Sequence, residues 1–359
     1  MSLAIPVVWS DDCLRHGGEA GTWVGVAIEG DEVPERATLI RDALCGAGAH
    51  VVPAAAHDDT TLLAVHDPGL VRFLRDAHPA WVAAGYPEDP GQPQVVGYVF
   101  PTAGLLAGIE PFEPAAPSAR TGLWAFDTLT PVGPGTWVAA RAAVDCAITA
   151  ADLVVDGAPH AYACTRPPGH HATRSAYGGS CYLNNAAVAA ERLRRRGIER
   201  VAILDVDAHH GNGAQAIFWE RADVLTGSVH VDPRAGWFPH FLGVADERGV
   251  GAGEGANRNL PLAPGTGDAG WLAAIDELAA FGADAAALVV ALGVDAAAGD
   301  PESPLLVGDE GYREAGRRLG ALGLPTVVVQ EGGYDLATIG PLVLAFVEGL
   351  ESAAPARPG

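Results

Sequence analysis

The stretch "RVAILDVDAHHGNG", residues 200–213, decides the fold. Its first half, Val201 to Leu204, is a short apolar run of the kind that fills a strand buried on both faces. Its second half packs two aspartates, two histidines and an asparagine into the eight residues from Asp205 to Asn212. Polar groups cost free energy to bury unless each finds a partner. A buried strand that ends this way is expected to open into a site.

Working outward, five further runs read as strands: "IPVVW" (5–9), "AYACT" (161–165), "VLTGSVH" (224–230), "AALVVALG" (286–293) and "PTVVVQ" (325–330). Helical patterns lie at 34–47, 67–84, 135–156, 184–197, 268–282, 309–322 and 337–351. Strand–helix alternation at this spacing implies βαβ units and a parallel sheet. The expectation is a single α/β domain over 1–359, its sheet flanked by helices on both faces. Two long loops, about 10–33 and 85–134, interrupt it, the second rich in Pro and Gly. Loops of that length in a compact domain are usually functional or disordered.

In an open α/β sheet, ligands bind beyond the carboxyl ends of the strands. Four of the six runs end in side chains that do chemistry. His170 and His171 follow the run at 161–165, and the run at 200–206 leads into the opening stretch. Asp295, Asp300 and Glu302 follow 286–293, and Tyr334 follows 325–330. Asp207 and His209, at i and i+2, can face one way, and Asp295 arrives from another strand. Two carboxylates and an imidazole suit Zn²⁺ or Fe²⁺, and three protein ligands leave a position open, as catalytic sites do. The His170–His171 pair offers proton transfer. Asp205 and Asn212 are free to fix the tautomers of that pair. Tyr334 can donate to an oxyanion, with Gly332 and Gly333 allowing close approach. The reaction class that uses this set is hydrolysis of an acyl group.

Bulk composition narrows the partners. The 359 residues carry 22 basic and 44 acidic side chains, a formal net charge of −22, and every basic residue is arginine. Such a chain repels nucleic acid and anionic membranes and steers cations inward. No apolar run is long enough to span a bilayer. The N-terminus lacks the basic region of a signal peptide. Five cysteines without CxxC spacing suggest reduced thiols and a cytoplasmic protein.

The motifs "RPPGHHA", "YGGSCYLNNAA", "ILDVDAHHGNG", "FPHFLGVADERGVGAGEG", "GVDAAAGDP" and "EGGY" occur in one order over roughly residues 135–350. In these the chain resembles the arginase–deacetylase superfamily, in its histone deacetylase and acetylpolyamine amidohydrolase branch. The resemblance implies a central sheet of about eight parallel strands. It implies zinc on Asp207, His209 and Asp295, with His171 as general base and acid. Asp205 would orient His170, Asn212 would orient His171, and Tyr334 would polarise the scissile carbonyl. The carbonyl of Gly179 would accept from the substrate amide. A structural K⁺ is implied at Asp205, Asp207, His209, Ser228 and Val229. The arginase branch needs further carboxylates for a second metal, where this chain has Gly211 and Gly293.

Two departures bear on substrate. Where the family carries an aromatic tunnel wall this chain has Ser180, while the facing Phe238 is kept, so a wider tunnel is expected. Glu302 stands where a polyamine-selective subgroup places a carboxylate for a distal ammonium, and Asp127 lies near another acidic contact of the acetylpolyamine branch. The expected substrate is an acetylated polyamine or similar small cationic amine. The alternative is an acetyl-lysine or broader acyl-amide deacylase. The resemblance also implies a homodimer.

Overall fold

The computed structural model describes residues 2–17 and 21–353; the remaining positions of the 1–359 span, including 18–20 of the first long loop, lie outside the described residues. Ten strands occur among the described residues. They are β1 (Pro6–Trp9), β2 (Gly21–Trp23), β3 (Val26–Ile28), β4 (His50–Pro53), β5 (His160–Ala163), β6 (Val201–Asp205), β7 (Val224–Val231), β8 (Asn257–Leu262), β9 (Ala287–Leu292) and β10 (Thr326–Gln330). The helices are α1 (Glu35–Gly46), α2 (Thr60–Val65), α3 (Pro68–Ala83), α4 (Ala103–Leu106), α5 (Pro117–Trp124) and α6 (Thr136–Val155). They continue with α7 (Asn185–Arg195), α8 (Asn212–Phe218), α9 (Asp268–Gly282), α10 (Asp309–Gly320) and α11 (Ile339–Ala353).

Eight strands form one sheet in the order β4-β1-β5-β10-β9-β6-β7-β8, every pairing parallel. All six residues of β9, "ALVVAL", are buried. Their side chains alternate between two apolar layers, as a period of two requires. Val289 and Ala291 join a core with Ile203, Val327 and the inner faces of α3, α6 and α7. Leu288 and Val290 join one with Leu204, Val328 and the inner faces of α1, α9, α10 and α11. Helices therefore cover both faces.

The six strands read from the sequence are all present. Of the eight strands in the main sheet, the two that were not read, β4 and β8, are its edges. β8, "NRNLPL", mixes buried and half-exposed positions and carries Pro261, which an edge tolerates. β4, "HVVP", is largely exposed. Neither produces the apolar run of a strand covered on both faces. The first long loop holds the hairpin β2–β3, and the second holds α4 and α5.

The strands that lead into the chemistry-bearing residues, β5, β10, β9 and β6, are the four contiguous strands at the centre of the sheet. Ladder bonds continue past their ends, from Val206 N to Ala291 O (3.0 Å), Glu331 N to Leu292 O (2.9 Å) and Val294 N to Gly332 O (3.1 Å). That continuation carries Asp207, Asp295 and Gly332 to a common point.

Candidate active site

At that point the ligand atoms of Asp207, His209 and Asp295 lie within 4.8 Å of one another. His209 Nδ1 is 2.9 Å from Asp295 Oδ2 and 3.3 Å from Asp207 Oδ1. Backbone amides set the carboxylates. Asp207 Oδ2 accepts from Gly332 N at 2.8 Å, and Asp295 Oδ1 accepts from Ala208 N at 2.8 Å. Neighbouring glycines make room for them. A Cβ on Gly332 would lie 2.5 Å from Asp207 Oδ2 and 2.6 Å from Asp295 Oδ2, and one on Gly293 would lie 2.0 Å from Asp207 Oδ2. At Gly211 a Cβ would meet Asp205 Oδ2 at 2.2 Å. The carboxylates of a second metal site therefore have no room at 211 or 293.

The donor set fits one divalent cation. Both carboxylates are buried, and burial followed by the Asp207 charge pushes Asp295 up to about 7. Two such carboxylates facing one imidazole repel each other until a cation joins them.

The tandem histidines differ in their partners. Asn212 Nδ2 donates to the His171 carbonyl (3.2 Å), so its Oδ1 is the atom facing His171 Nδ1 at 2.7 Å. Nδ1 therefore carries the proton and Nε2 keeps a lone pair. Burial, and then the neighbouring His170 and His209 charges, hold His171 well below the usual imidazole range. His170 Nδ1 instead meets Asp205 Oδ2 at 2.9 Å. Burial opposes its charge, but Asp207 and Asp205 outweigh burial and raise it to about 10. One ring is set up as a base and its neighbour, 4.0 Å away between centroids, as a fixed cation.

Tyr334 is half-buried, its N–H donating to Asp300 Oδ2 at 2.8 Å. Burial raises its hydroxyl well above the ordinary tyrosine value, against the opposing Arg36 charge, so the hydroxyl keeps its proton. Arg36 gave no signal in the sequence. From α1, its guanidinium lies over the Tyr334 ring and bonds the carbonyls of Glu331 and Gly333. Its partner Glu32 also pairs with Arg166. Glu331 was missed too. Its Oε2 accepts from Gly169 N (2.6 Å) and His170 N (3.1 Å), tying the end of β10 to the histidine turn.

The remaining expected residues fall around this centre. Phe238 stands edge-on to His171 at 4.7 Å, and a Cβ on Gly179 would lie 2.4 Å from His171 Cδ2 and 2.8 Å from Phe238 Cε1. Glu302 is half-buried, its N–H donating to Asp300 Oδ1 at 3.0 Å. Burial raises it, His209 opposes, and Asp31 adds to the rise. Asp127 is engaged with the backbone, accepting from Gly179 N (2.5 Å), Leu129 N (2.9 Å) and Thr130 N (3.0 Å). Ser228 pairs in register with Asp205, and its hydroxyl lies 2.8 Å from His230 Nδ1 and accepts from Gly211 N. Val229 follows it, buried in β7.

Three side chains that could hold a cation, with an imidazole and a tyrosine beside them at the carboxyl ends of a parallel sheet, match the pattern of a metal-dependent hydrolase of acyl bonds. The chain belongs to the histone deacetylase domain family, whose model matches residues 31–350, and it is a deacetylase, a hydrolase acting on amides. It is 41% identical over 352 residues to acetylpolyamine amidohydrolase 1 of Pseudomonas aeruginosa, covering 97% of this chain and 99% of that one. It is 41% identical over 349 residues to the acetylpolyamine amidohydrolase of Mycoplana ramosa, covering 96% and 99%. A crystal structure of an acetylpolyamine aminohydrolase from Burkholderia pseudomallei superimposes with a TM-score of 0.91 at 37% identity, covering 98% of this chain and 100% of that one.

Proposed function

We propose that this protein is a zinc-dependent amidohydrolase that removes acetyl groups from acetylated polyamines or similar small cationic amines. The observation that carries the chemistry is the meeting of Asp207, His209 and Asp295 with the Asn212-held His171 and with Tyr334 at one group of strand ends. The substrate class rests on Glu302 beside that centre, on the acidic charge of the chain, and on near-full-length similarity to acetylpolyamine amidohydrolases.

Asp207, His209 and Asp295 would hold the metal. When bound, it would polarise the scissile carbonyl and acidify the attacking water. His171 Nε2 takes a proton from that water and returns it to the departing amine nitrogen as the C–N bond breaks. Asn212 keeps the accepting nitrogen turned to the site. Asp205 keeps His170 charged alongside. The Tyr334 hydroxyl donates to the carbonyl oxygen as it gathers charge. Gly179 would accept from the substrate N–H, its turn held by Asp127, and Phe238 would flank the amine's carbon chain. Glu302 would pair with the distal ammonium.

Three companion readings follow. A K⁺ would sit among Asp205, Asp207, His209, Ser228 and Val229, where β6 and β7 run in register. A second copy would cover the exposed Trp23, Val24 and Val26 of the β2–β3 hairpin and Tyr98, Ile109 and Phe112 of the 85–134 segment. A cytoplasmic setting suits the five free thiols. No helix among the described residues is long and apolar enough to cross a membrane.

The test is a substrate panel on zinc-loaded protein. Acetylputrescine or acetylspermidine should be hydrolysed with higher kcat/KM than an acetyl-lysine peptide, and chelation should abolish both activities. A preference for the peptide, or for a bulkier acyl group, would favour the broader deacylase that Ser180 suggests. Turnover surviving in metal-free protein would overturn the mechanism.

A further inference from the structure

We propose that Phe126 supplies the apolar channel wall that position 180 leaves open, facing Phe238 across the path of the substrate's carbon chain. The inference rests on the reading of this site as one that hydrolyses acylated amines. It assigns chain selectivity to a residue of the 85–134 segment rather than to the "GGSC" turn.

Ser180 has a side chain too short to reach across a channel, and its backbone sits at φ 61°, pinned by Ser180 N donating to Thr130 Oγ1 at 2.9 Å. Phe126 comes to the same turn from outside it. Its N–H donates to Tyr177 O (3.0 Å), while Asp127 takes Gly179 N and Thr130 takes Ser180 N. Residues 126–130 and 177–180 are therefore tied together by one backbone bond and two side-chain-to-backbone bonds. The latch that fixes Gly179 also fixes the backbone that carries Phe126.

The tip of the ring packs against Gly178. A Cβ there would lie 2.5 Å from both Cε2 and Cζ of Phe126, so a side chain at 178 would displace the ring from this place. From that position Phe126 faces Phe238, with ring centroids 6.1 Å apart and planes 24° from parallel. Phe238 in turn stands edge-on to His171, the proposed base. Two nearly parallel rings beside the base form the sides of a slot.

A methylene chain touching both rings at about 3.5–4.0 Å on each side needs faces about 7–8 Å apart. With ring centroids 6.1 Å apart the faces stand no farther than that, so the slot must open by at least about 1 Å when a chain enters. Phe238 is braced against His171, whereas Phe126 is 38% exposed. Phe126 is the side free to swing. The expectation of a widened tunnel is thereby revised: the wall missing at 180 is restored from another segment, and as a hinged one.

The test measures binding of straight-chain alkyl hydroxamates of increasing length to zinc-loaded protein by calorimetry. In the wild type each added methylene should tighten binding by about fourfold, the worth of one buried CH₂. In Phe126→Ala that gain should fall below about twofold, because one side of the slot is lost. Phe126→Ala/Ser180→Phe, which rebuilds the wall from the other segment, should restore it. Zinc content and Tm confirm that each variant is folded, and Phe126→Leu, which keeps apolar bulk, should fall between. For an acetylated diamine the loss in Phe126→Ala should appear mainly in KM. An unchanged increment per methylene in Phe126→Ala, or a double variant no better than the single, overturns the proposal. Hydroxamate binding reads the wall whatever the natural substrate is. A wild type that binds the series but hydrolyses no acetylated amine would sink the proposed function and leave Phe126 tested on its own.

Discussion

The Arg36 guanidinium lies 4.8 Å from the centroid of the Tyr334 ring, while its Nε and Nη2 donate to Gly333 O and Glu331 O, each at 2.6 Å. A residue of α1 thus holds both the ring and the turn that presents it. Arg36→Met keeps the stem and loses the planar fork. A hydroxyl misplaced by about an ångström costs on the order of 100-fold in rate. The expected result is a kcat lower by about 10- to 100-fold with KM little changed, approaching the loss of at least ~100-fold for Tyr334→Phe. The variant also leaves Glu32 short of a partner in a buried place, so stability should fall. Arg36→Lys, which keeps a charge beside Glu32 but not the fork, should recover stability but not kcat. Recovery of kcat together with stability would show that Arg36 does not position Tyr334.

Asp207→Asn removes one of the two carboxylates of the cation site. Zinc affinity and turnover should fall together, and the zinc-dependent rise in Tm should shrink, since a ligand that binds only the folded state stabilises it by mass action. Metal analysis after dialysis against a graded zinc buffer checks this. A variant that retains stoichiometric zinc and normal turnover would remove Asp207 from the ligand set.

The proposed substrate class can be tested at Glu302. A charge-assisted pair with a substrate ammonium contributes roughly 1.5–3 kcal/mol, or about 10- to 150-fold in specificity. An acetyl-lysine peptide offers no ammonium at that position. Glu302→Leu should therefore lower kcat/KM for acetylspermidine and leave or raise it for the peptide. Added salt should narrow the wild-type preference, because the half-buried carboxyl is still reached by solvent. An unchanged ratio of the two substrates would detach the polyamine reading from Glu302.

Acid should unfold the protein early. His160 opens β5 at 5% exposure, neither ring nitrogen has a hydrogen-bond partner among the described residues, and burial lowers it to about 4. His16, His66 and His230 are also lowered to about 4, with burial the largest cause in each. Between that value and the unfolded pKa of about 6.5, the unfolded chain binds more protons than the folded one. Their contribution is therefore complete above about pH 6.5 and is lost as pH falls toward 4. Each group accounts for at most about 1.4 kcal/mol per pH unit within that window. Urea unfolding from pH 7 to 5 should show the steep limb, and His160→Leu should make it shallower by about 1 kcal/mol per unit. An equal slope in the variant would mean that His160 titrates normally in the fold.

The sequence by itself determined the inner strands and what each one presents. β5, β6, β9 and β10 are covered on both faces, so their burial is written as largely apolar runs, and the chemistry lies within eight residues of where each run stops. Asp207, His209, Asp295, His171 and Tyr334 were legible because each sits within a few residues of such an end. The edges β4 and β8 were not, since half-exposed strands need no such pattern. Tertiary structure alone decided that β10 and β9 insert between β5 and β6, so that His171 and Asp207 face each other across two strands that come later in the chain. It alone brought in Arg36, whose partners at 331 and 333 are backbone carbonyls and carry no sequence signature. Ser180 was visible as a departure from the family's aromatic wall, but Phe126, proposed in its place, was not. Phe126 reaches Phe238 only because Asp127 and Thr130 bind the backbone of the 178–180 turn, and such side-chain-to-backbone bonds between distant segments follow from packing, which no local periodicity records.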